Sequence, residues 1–338
     1  MDVTVFSTKP YDRRFLDAAN AQGQHSLHYL EARLDADTAA LAFGSTAVCV
    51  FVNDCVDRAV LTQLHACGIR TVALRCAGYN QVDLAAAEAL GMAVVRVPAY
   101  SPHAVAEFTV ALMLALDRNI PRAWARVREN NFALDGLIGR NLNGRTVGVV
   151  GTGRIGALVA RTLRAGFGCE VLARDVVHDP ALEAIGVRYV PIDTLLTTSE
   201  IVSLHCPLTP ATHHLVNAAV IAAARPGLLL VNTSRGALVD TRALIAGLKS
   251  HKLSGVALDV YEQEADLFFE DLSNEIIQDD DFQRLLTFPN VLVTGHQAFL
   301  TEEALTAIAE TTLASLDDAQ AGRPLQHQLR AETALSPS

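Results

Sequence analysis

Runs of four or five β-branched and aliphatic residues recur along the chain, separated by helix-length amphipathic stretches. Before residue 100 they read DVTVF, AVCVF, TVALR and AVVRV; after it, TVGVV, EVLAR, IVSLH, LLLVN, GVALD and VLVT. Runs this apolar suit strands buried on both faces, and their alternation with helices predicts parallel sheets joined by crossover helices. Between the two sets lies PHAVAEFTVALMLALDRNIPRAWARVREN, a long amphipathic helix predicted to break near Pro121 and to bridge one unit to the next. A second helix, LTEEALTAIAETTLASL, closes the chain and can return to the first unit. The expected organisation is therefore α/β in two units, residues 1–100 with 299–338, and an inserted unit of residues 101–298. The connection from Glu262 to Pro289 is too long to be a plain turn and is expected to serve a functional or interface role. Its acids Asp279, Asp280 and Asp281 read as a solvated face.

The stretch TVGVVGTGRIGALVARTL sets Gly151, Gly153 and Gly156 between an apolar strand and a helix. In that context the first glycine allows a tight turn, the second lets a pyrophosphate approach the backbone, and the third lets helix and strand pack closely. The next strand ends on Asp175, nineteen residues past Gly156, where a carboxylate can accept hydrogen bonds from an adenosine ribose. It would repel a 2′-phosphate, so NAD is expected over NADP. Strand alternation places Arg174 facing away from Asp175. The first unit has no such glycine pattern, and its loops are assigned to substrate.

Ligands of open parallel sheets gather at the carboxyl ends of the strands. Arg235 follows LLLVN, Asp259 ends GVALD and His296 follows VLVT, so three ionisable residues leave the edge where the glycines place the cofactor. In isolation, Thr233 or Ser234 reads as a helix cap with Arg235 solvated behind it. Together the three fit hydride chemistry, which needs a cation to hold a carboxylate and polarise a ketone, and an acid to protonate the alkoxide. A protonated histidine is favoured by an anionic neighbour, and Glu262 and Glu264 both lie in DVYEQEADL.

Composition narrows the classes. Half the residues are apolar and 19% are charged, as in a globular protein; the formal charge of −10, with no basic run, argues against a nucleic-acid surface. The six cysteines stand singly, without metal-ligand spacing, and read as reduced, mostly buried thiols; no metal is expected. No apolar run spans a membrane, and MDVTVFSTKPYD reads as a first strand and not a signal peptide, so the cytoplasm is the expected location. About ten C-terminal residues look disordered by composition.

The motifs VVGTGRIG, SLHCPLTPAT, VNTSRGALVD, ALDVYEQEADLFFED and NVLVTGHQAFLTEEAL resemble the D-isomer-specific 2-hydroxyacid dehydrogenases, and within them the fermentative D-lactate dehydrogenases of bacteria. The likeness extends through STKPYD, FVND, ALRCAGYNQVDL and VVRVPAYSP, nearly the whole chain. It implies two Rossmann-like domains, the NAD-binding one inserted in a discontinuous flavodoxin-like substrate domain, with the site in the cleft between them. It further implies reduction of pyruvate to D-lactate by NADH in a homodimer or homotetramer. By the same resemblance, Arg235 binds the substrate carboxylate and keto oxygen, His296 is the proton donor, Glu264 is its partner, and Asp259 faces the nicotinamide end. Arg154 and Ile155 lie over the pyrophosphate and Asp175 on the ribose. His205, Cys206 and Pro207 lie against the adenosine part, while Thr233, Ser234 and Arg235 line the nicotinamide side. The backbone of Ala77 and Gly78 holds the substrate carboxylate, and Tyr100 and Phe299 shape the pocket. Two positions depart from the family pattern: Phe108 replaces a frequent His, and Thr212 replaces a frequent Asn at a polar cofactor contact. The rival readings are a dehydrogenase of bulkier or phosphorylated D-2-hydroxy acids and a dinucleotide-sensing corepressor of the CtBP type.

Overall fold

A computed structural model describes residues 1–331, so the tail expected to be disordered lies, from residue 332 onward, outside the described residues. Two compact units emerge: Met1–Ser101 with the residues from Leu300 onward (unit 1), and Pro102–Phe299 (unit 2). Each junction falls one residue later than the pattern suggested.

Unit 1 contains β1 (Asp2–Val5), β2 (Ser26–Tyr29), β3 (Ala47–Val50), β4 (Thr71–Leu74) and β5 (Ala93–Arg96). Unit 2 contains β6 (Thr146–Val150), β7 (Glu170–Arg174), β8 (Arg188–Tyr189), β9 (Ile201–Leu204), β10 (Leu228–Asn232), β11 (Leu253–Leu258) and β12 (Val291–Val293); β13 (Gln328–Leu329) returns to unit 1. The sheet orders are β13-β5-β4-β3-β1-β2 and β12-β11-β10-β9-β6-β7-β8. Among the described residues all pairings are parallel except one: β13 runs antiparallel to β5, with Leu329 opposite Val94. Every apolar run named above is a strand. β2, β8 and β13 were missed because they are two- to four-residue strands near or at sheet edges, with half-exposed side chains that lack the apolar signal.

The unbroken apolar runs have a simple cause in unit 2. Alternate residues of each strand feed opposite cores, Val149 and Val231 on one face, Val150 and Leu230 on the other. The first core is closed by α1 (Pro102–Asp117) through Ala106, Val110 and Met113, with Phe108 packed at its border. Fully burying a side chain such as Leu230 (0% exposed) stabilises the fold by roughly 1.5–3 kcal/mol. The helix break falls at Asn119, in the left-handed region at φ 54°, and Pro121 sits in the first turn of the next helix, Ile120–Arg128. In unit 1, Ala309, Leu313 and Leu316 of the closing helix Glu302–Gln320 pack on Val3, Val5, Ala47, Ala73 and Val95. No helix among the described residues is long and apolar enough to cross a membrane.

Strand order reverses between β6 and β9 in unit 2 and between β1 and β3 in unit 1. These are the two places where such sheets open a crevice beyond their carboxyl ends.

Candidate active site

The crevice beyond β6 is made by glycine. A Cβ on Gly151 (φ 91°) would lie 2.5 Å from the Cys206 nitrogen, and one on Gly156 would lie 1.9 Å from the Gly151 carbonyl oxygen. Gly153 faces open space, with nothing within 4 Å of its Cβ position. It also caps α2 (Arg154–Arg161), and the backbone N–H groups of Gly153, Arg154 and Ile155 have no acceptor among the described residues. An exposed helix start with unpaired N–H groups and no side chain in the way fits a dinucleotide pyrophosphate.

At the end of β7, Asp175 accepts from the Thr152 amide at 2.5 Å and hydroxyl at 3.2 Å, and from the Val176 amide at 2.6 Å. Burial alone would raise its carboxyl, yet these bonds hold it below the ordinary carboxylate range. Asp175 is thus an anion braced against the glycine turn. Arg174 does not face away: its guanidinium folds back to donate to the Asp175 carbonyl. Alternation orients only the first bonds of a side chain this long.

Across the reversal point, His205 and Cys206 form the floor under Gly151. The His205 Nε2 lies 2.8 Å from the Ser203 hydroxyl, and burial pushes its pKa down to about 4, so the ring is neutral near pH 7. Burial pushes the Cys206 thiol up to about 11, which keeps it protonated. Its carbonyl accepts from the Ser234 hydroxyl at 2.8 Å. The Thr212 hydroxyl donates to the Pro207 carbonyl at 2.7 Å and accepts from the Thr209 amide at 2.8 Å, so it closes its own loop.

The segment after β10 is a shaped turn. Buried Asn232 donates to the Arg235 carbonyl at 2.8 Å and accepts from the Ser234 amide at 3.1 Å, while Thr233 pairs with Thr109 of α1 at 2.7 Å. Neither Thr233 nor Ser234 caps a helix; Asp240 caps the helix Thr241–Lys249. Gly236 is obligatory, because its Cβ would meet the Tyr261 carbonyl at 2.0 Å. The Arg235 guanidinium bonds only the Ser234 carbonyl, at 2.7 Å, and has no carboxylate partner among the described residues. A half-buried cation left without a protein anion is equipped to bind an external one.

His296 sits in the left-handed region at φ 53°, a conformation that costs a non-glycine residue about 1 kcal/mol. It is held there by its amide, which donates to the Asp259 carbonyl at 2.7 Å. Fully buried Asp259 accepts from the Thr294 hydroxyl at 2.6 Å and from the Gln297 and Ala298 amides at 2.9 Å each. Burial pushes the Asp259 carboxyl up, against these bonds and the nearby His296. Both Asp259 oxygens also shape the loop that carries His296.

The two glutamates separate clearly. Glu264 Oε1 lies 2.8 Å from His296 Nδ1, and its Oε2 accepts from the Tyr261 amide at 2.8 Å. Glu262 turns the other way, 2.5 Å from His214 Nε2, with Thr241 bonded to its second oxygen. With Nδ1 held by Glu264, the His296 Nε2 has no hydrogen-bond partner among the described residues. Phe269, read in the sequence only as part of ALDVYEQEADLFFED, has its ring centred 5.7 Å from that of His296, while its neighbour Phe268 is buried in the core. Asp279 is not merely solvated: it caps the helix Asp280–Leu286 and accepts from the Tyr261 hydroxyl at 2.7 Å. Asp281 lies 3.2 Å from Arg242.

In unit 1 the loop after β4 leaves the N–H groups of Ala77 and Gly78 without an acceptor among the described residues, while the Ala77 carbonyl accepts from Arg96 at 2.8 Å. Tyr100 is half-buried at the end of unit 1, and Phe299 is buried at the end of unit 2.

Residues 110–298 match the family model of the D-isomer specific 2-hydroxyacid dehydrogenase NAD binding domain. The chain is 49% identical over 329 residues to the D-lactate dehydrogenase of Escherichia coli strain K12, covering 97% of this chain and 100% of that protein. Among solved structures, the pyruvate reductase of Chlamydomonas reinhardtii superposes with a TM-score of 0.91 at 44% identity, covering 96% of this chain and 98% of that one. The D-lactate dehydrogenase of Lactobacillus jensenii with NAD+ does so with a TM-score of 0.79 at 30% identity, covering 97% and 99%. The chain therefore belongs to the D-isomer-specific 2-hydroxyacid dehydrogenases. It is an oxidoreductase of that class, and unit 2 carries the family's NAD-binding domain.

Proposed function

We propose that the protein is an NAD-dependent D-lactate dehydrogenase that reduces pyruvate to D-lactate. The observation that carries this reading is the pairing of His296 Nδ1 with Glu264 at 2.8 Å on the same sheet edge as Arg235, a cation with no protein carboxylate to satisfy it. Whole-length similarity to D-lactate dehydrogenases supports the choice within the family.

NADH, when bound, supplies the hydride. Gly151, Gly153, Arg154, Ile155 and Gly156 hold its pyrophosphate, Asp175 its ribose, and His205, Cys206 and Pro207 back the adenosine side. Thr233 and Ser234 line the nicotinamide side; Asp259 and Thr212 act by shaping the loops around it. The Arg235 guanidinium binds the pyruvate carboxylate and draws electron density from the keto oxygen. His296, protonated, gives its Nε2 proton to that oxygen as the carbon is reduced. Glu264 holds the imidazole in place and stabilises its cationic form. In lactate oxidation, neutral His296 takes the proton back through the same nitrogen. The unpaired amides of Ala77 and Gly78 are assigned to the substrate carboxylate, and Tyr100 and Phe299 to the wall that limits the side chain.

The reading extends to a homodimer or homotetramer, supported by the apolar surface of Trp124, Phe132, Leu134 and Ile138, each more than 60% exposed. It also extends to the cytoplasm, supported by six cysteines without a disulfide.

The test is steady-state oxidation of NADH with pyruvate, phenylpyruvate, hydroxypyruvate and 2-ketoisocaproate. Pyruvate is expected to give the highest kcat/KM, with D-lactate as product. A higher value for a bulkier acid would reassign the substrate, and no turnover with any of them would overturn the enzymatic reading.

A further inference from the structure

Behind the catalytic loops, two adjacent histidines and a glutamate converge. The donor atoms of His213, His214 and Glu262 all lie within 4.8 Å of one another. The His213 ring is exposed, stacks on the His214 ring at 4.0 Å and has no hydrogen-bond partner among the described residues. His214 Nε2 lies 2.5 Å from Glu262 Oε1, and the other Glu262 oxygen accepts from the Thr241 amide at 3.2 Å and hydroxyl at 2.9 Å.

We propose that His213, His214 and Glu262 form a binding site for one zinc-like divalent cation. Two imidazoles and one carboxylate are a donor set that first-row ions such as Zn2+ and Co2+ prefer, whereas Mg2+ and Ca2+ seek oxygen ligands. Tetrahedral donors around Zn2+ sit roughly 3.3 Å apart, given bonds of about 2.0–2.1 Å. His214 and Glu262 therefore open slightly as the cation takes His214 Nε2, and the neutral imidazole then carries its one proton on Nδ1. His213 closes the site by rotating its exposed ring off the His214 stack. Thr241 orients the carboxylate from behind, the outer-shell bond that such sites need. Water completes the coordination on the exposed side.

The position of the site gives the cation something to act on. The His214 amide donates to the Ala237 carbonyl at 2.9 Å, two residues past Arg235. Gly236 packs directly on the Tyr261–Glu262 peptide, and Glu262 is two residues from Glu264. A bound cation thus ties the segment after β9, itself hydrogen-bonded to the turn after β10, to the segment after β11. Metal uptake itself is independent of which keto acid the enzyme reduces.

The experiment is calorimetric titration of the full-length, metal-stripped protein with Zn2+, and absorption spectroscopy with Co2+. Expected are one cation per chain, a rise in Tm on Zn2+ addition, and visible Co2+ bands without a thiolate-to-metal band. His213→Ala should weaken Zn2+ binding by about 10- to 100-fold, and His213→Cys should restore it and add a thiolate-to-Co2+ band in the near ultraviolet. Three results would overturn the site: no stoichiometric uptake by the wild type, equal affinity in His213→Ala, or a thiolate band in the wild type, which would put the cation on a cysteine.

Discussion

At the strand-order reversal of unit 2, between β6 and β9, the chain spends glycines: Gly151 and Gly156 pack backbone against backbone, and Gly153 leaves a helix start open. At the corresponding place in unit 1, between β1 and β3, it spends charges. Arg75, 1% exposed, lies 3.1 Å from Asp12 and donates to the Ser7 carbonyl at 2.8 Å, with its guanidinium 4.9 Å from the Phe51 ring centroid. Asp54, equally buried, accepts from Ser7 and from the Phe51 and Leu34 amides at 2.6, 2.6 and 2.8 Å. Burial pushes the Asp54 carboxyl up, while Arg75 and these donors pull against it. A doubly wound sheet offers a crevice wherever its order reverses, but what fills the crevice decides its use. One is floored by backbone and left open; the other is closed by buried charged side chains, with Arg75 Nη1 alone of that guanidinium left without a hydrogen-bond partner.

The difference is breakable. Arg75→Met removes the cation and leaves Asp12 and Asp54 buried without it, which should destabilise the protein by about 3–5 kcal/mol in urea unfolding. The affinity for NADH should be unchanged; a parallel loss would mean that the unit 1 crevice also serves the dinucleotide.

Asp175→Ala sharpens the other side. Loss of a ribose acceptor should weaken NADH by about 10-fold, on the order of 1.4 kcal/mol, and narrow the gap to NADPH because a repulsion goes with it. Wild-type use of NADPH equal to that of NADH would contradict the role given to Asp175.

A further effect is on pH dependence. Burial holds His205 at about 4, below the roughly 6.5 of an unfolded histidine. Between those values the unfolded chain binds more protons, so stability falls as pH drops from about 6.5 to about 4. His205→Gln should flatten that slope, read as a smaller difference in unfolding midpoint between pH 7 and pH 4.5. An unchanged slope would mean that other groups carry it.

Local signals explain what was legible. Most strands of both sheets announced themselves because burial on two faces removes polar residues, and the glycine turn did so because Gly151 and Gly156 answer backbone contacts that no other residue tolerates. Positions whose work depends on partners far along the chain did not. Nothing local distinguishes Glu262 from Glu264; only the path of the Tyr261–Leu267 segment sends one to His214 and the other to His296. Asp259 sits at a strand end like a catalytic acid, yet its bonds are to amides of residues 297 and 298. Asn232 and Gly236, which shape the turn behind Arg235, were hidden in a motif read for its charge. Phe269 was seen only as part of a family signature. The adjacent histidines 213 and 214 gained meaning only when the fold brought Glu262 to them.

The central claim is that Glu264, and not Glu262, holds the catalytic histidine. The direct measurement compares kcat/KM for pyruvate reduction in Glu264→Gln and Glu262→Gln, with NADH affinity and a deuterated-NADH isotope effect measured in both. Glu264→Gln keeps the shape but loses the charge that orients His296, so kcat should fall by about 10²- to 10⁴-fold with NADH affinity retained. Glu262→Gln should leave kcat within about 10-fold of wild type, since its carboxylate bonds His214 and Thr241 and not His296. Equal losses in the two variants, or a larger loss in Glu262→Gln, would contradict the account.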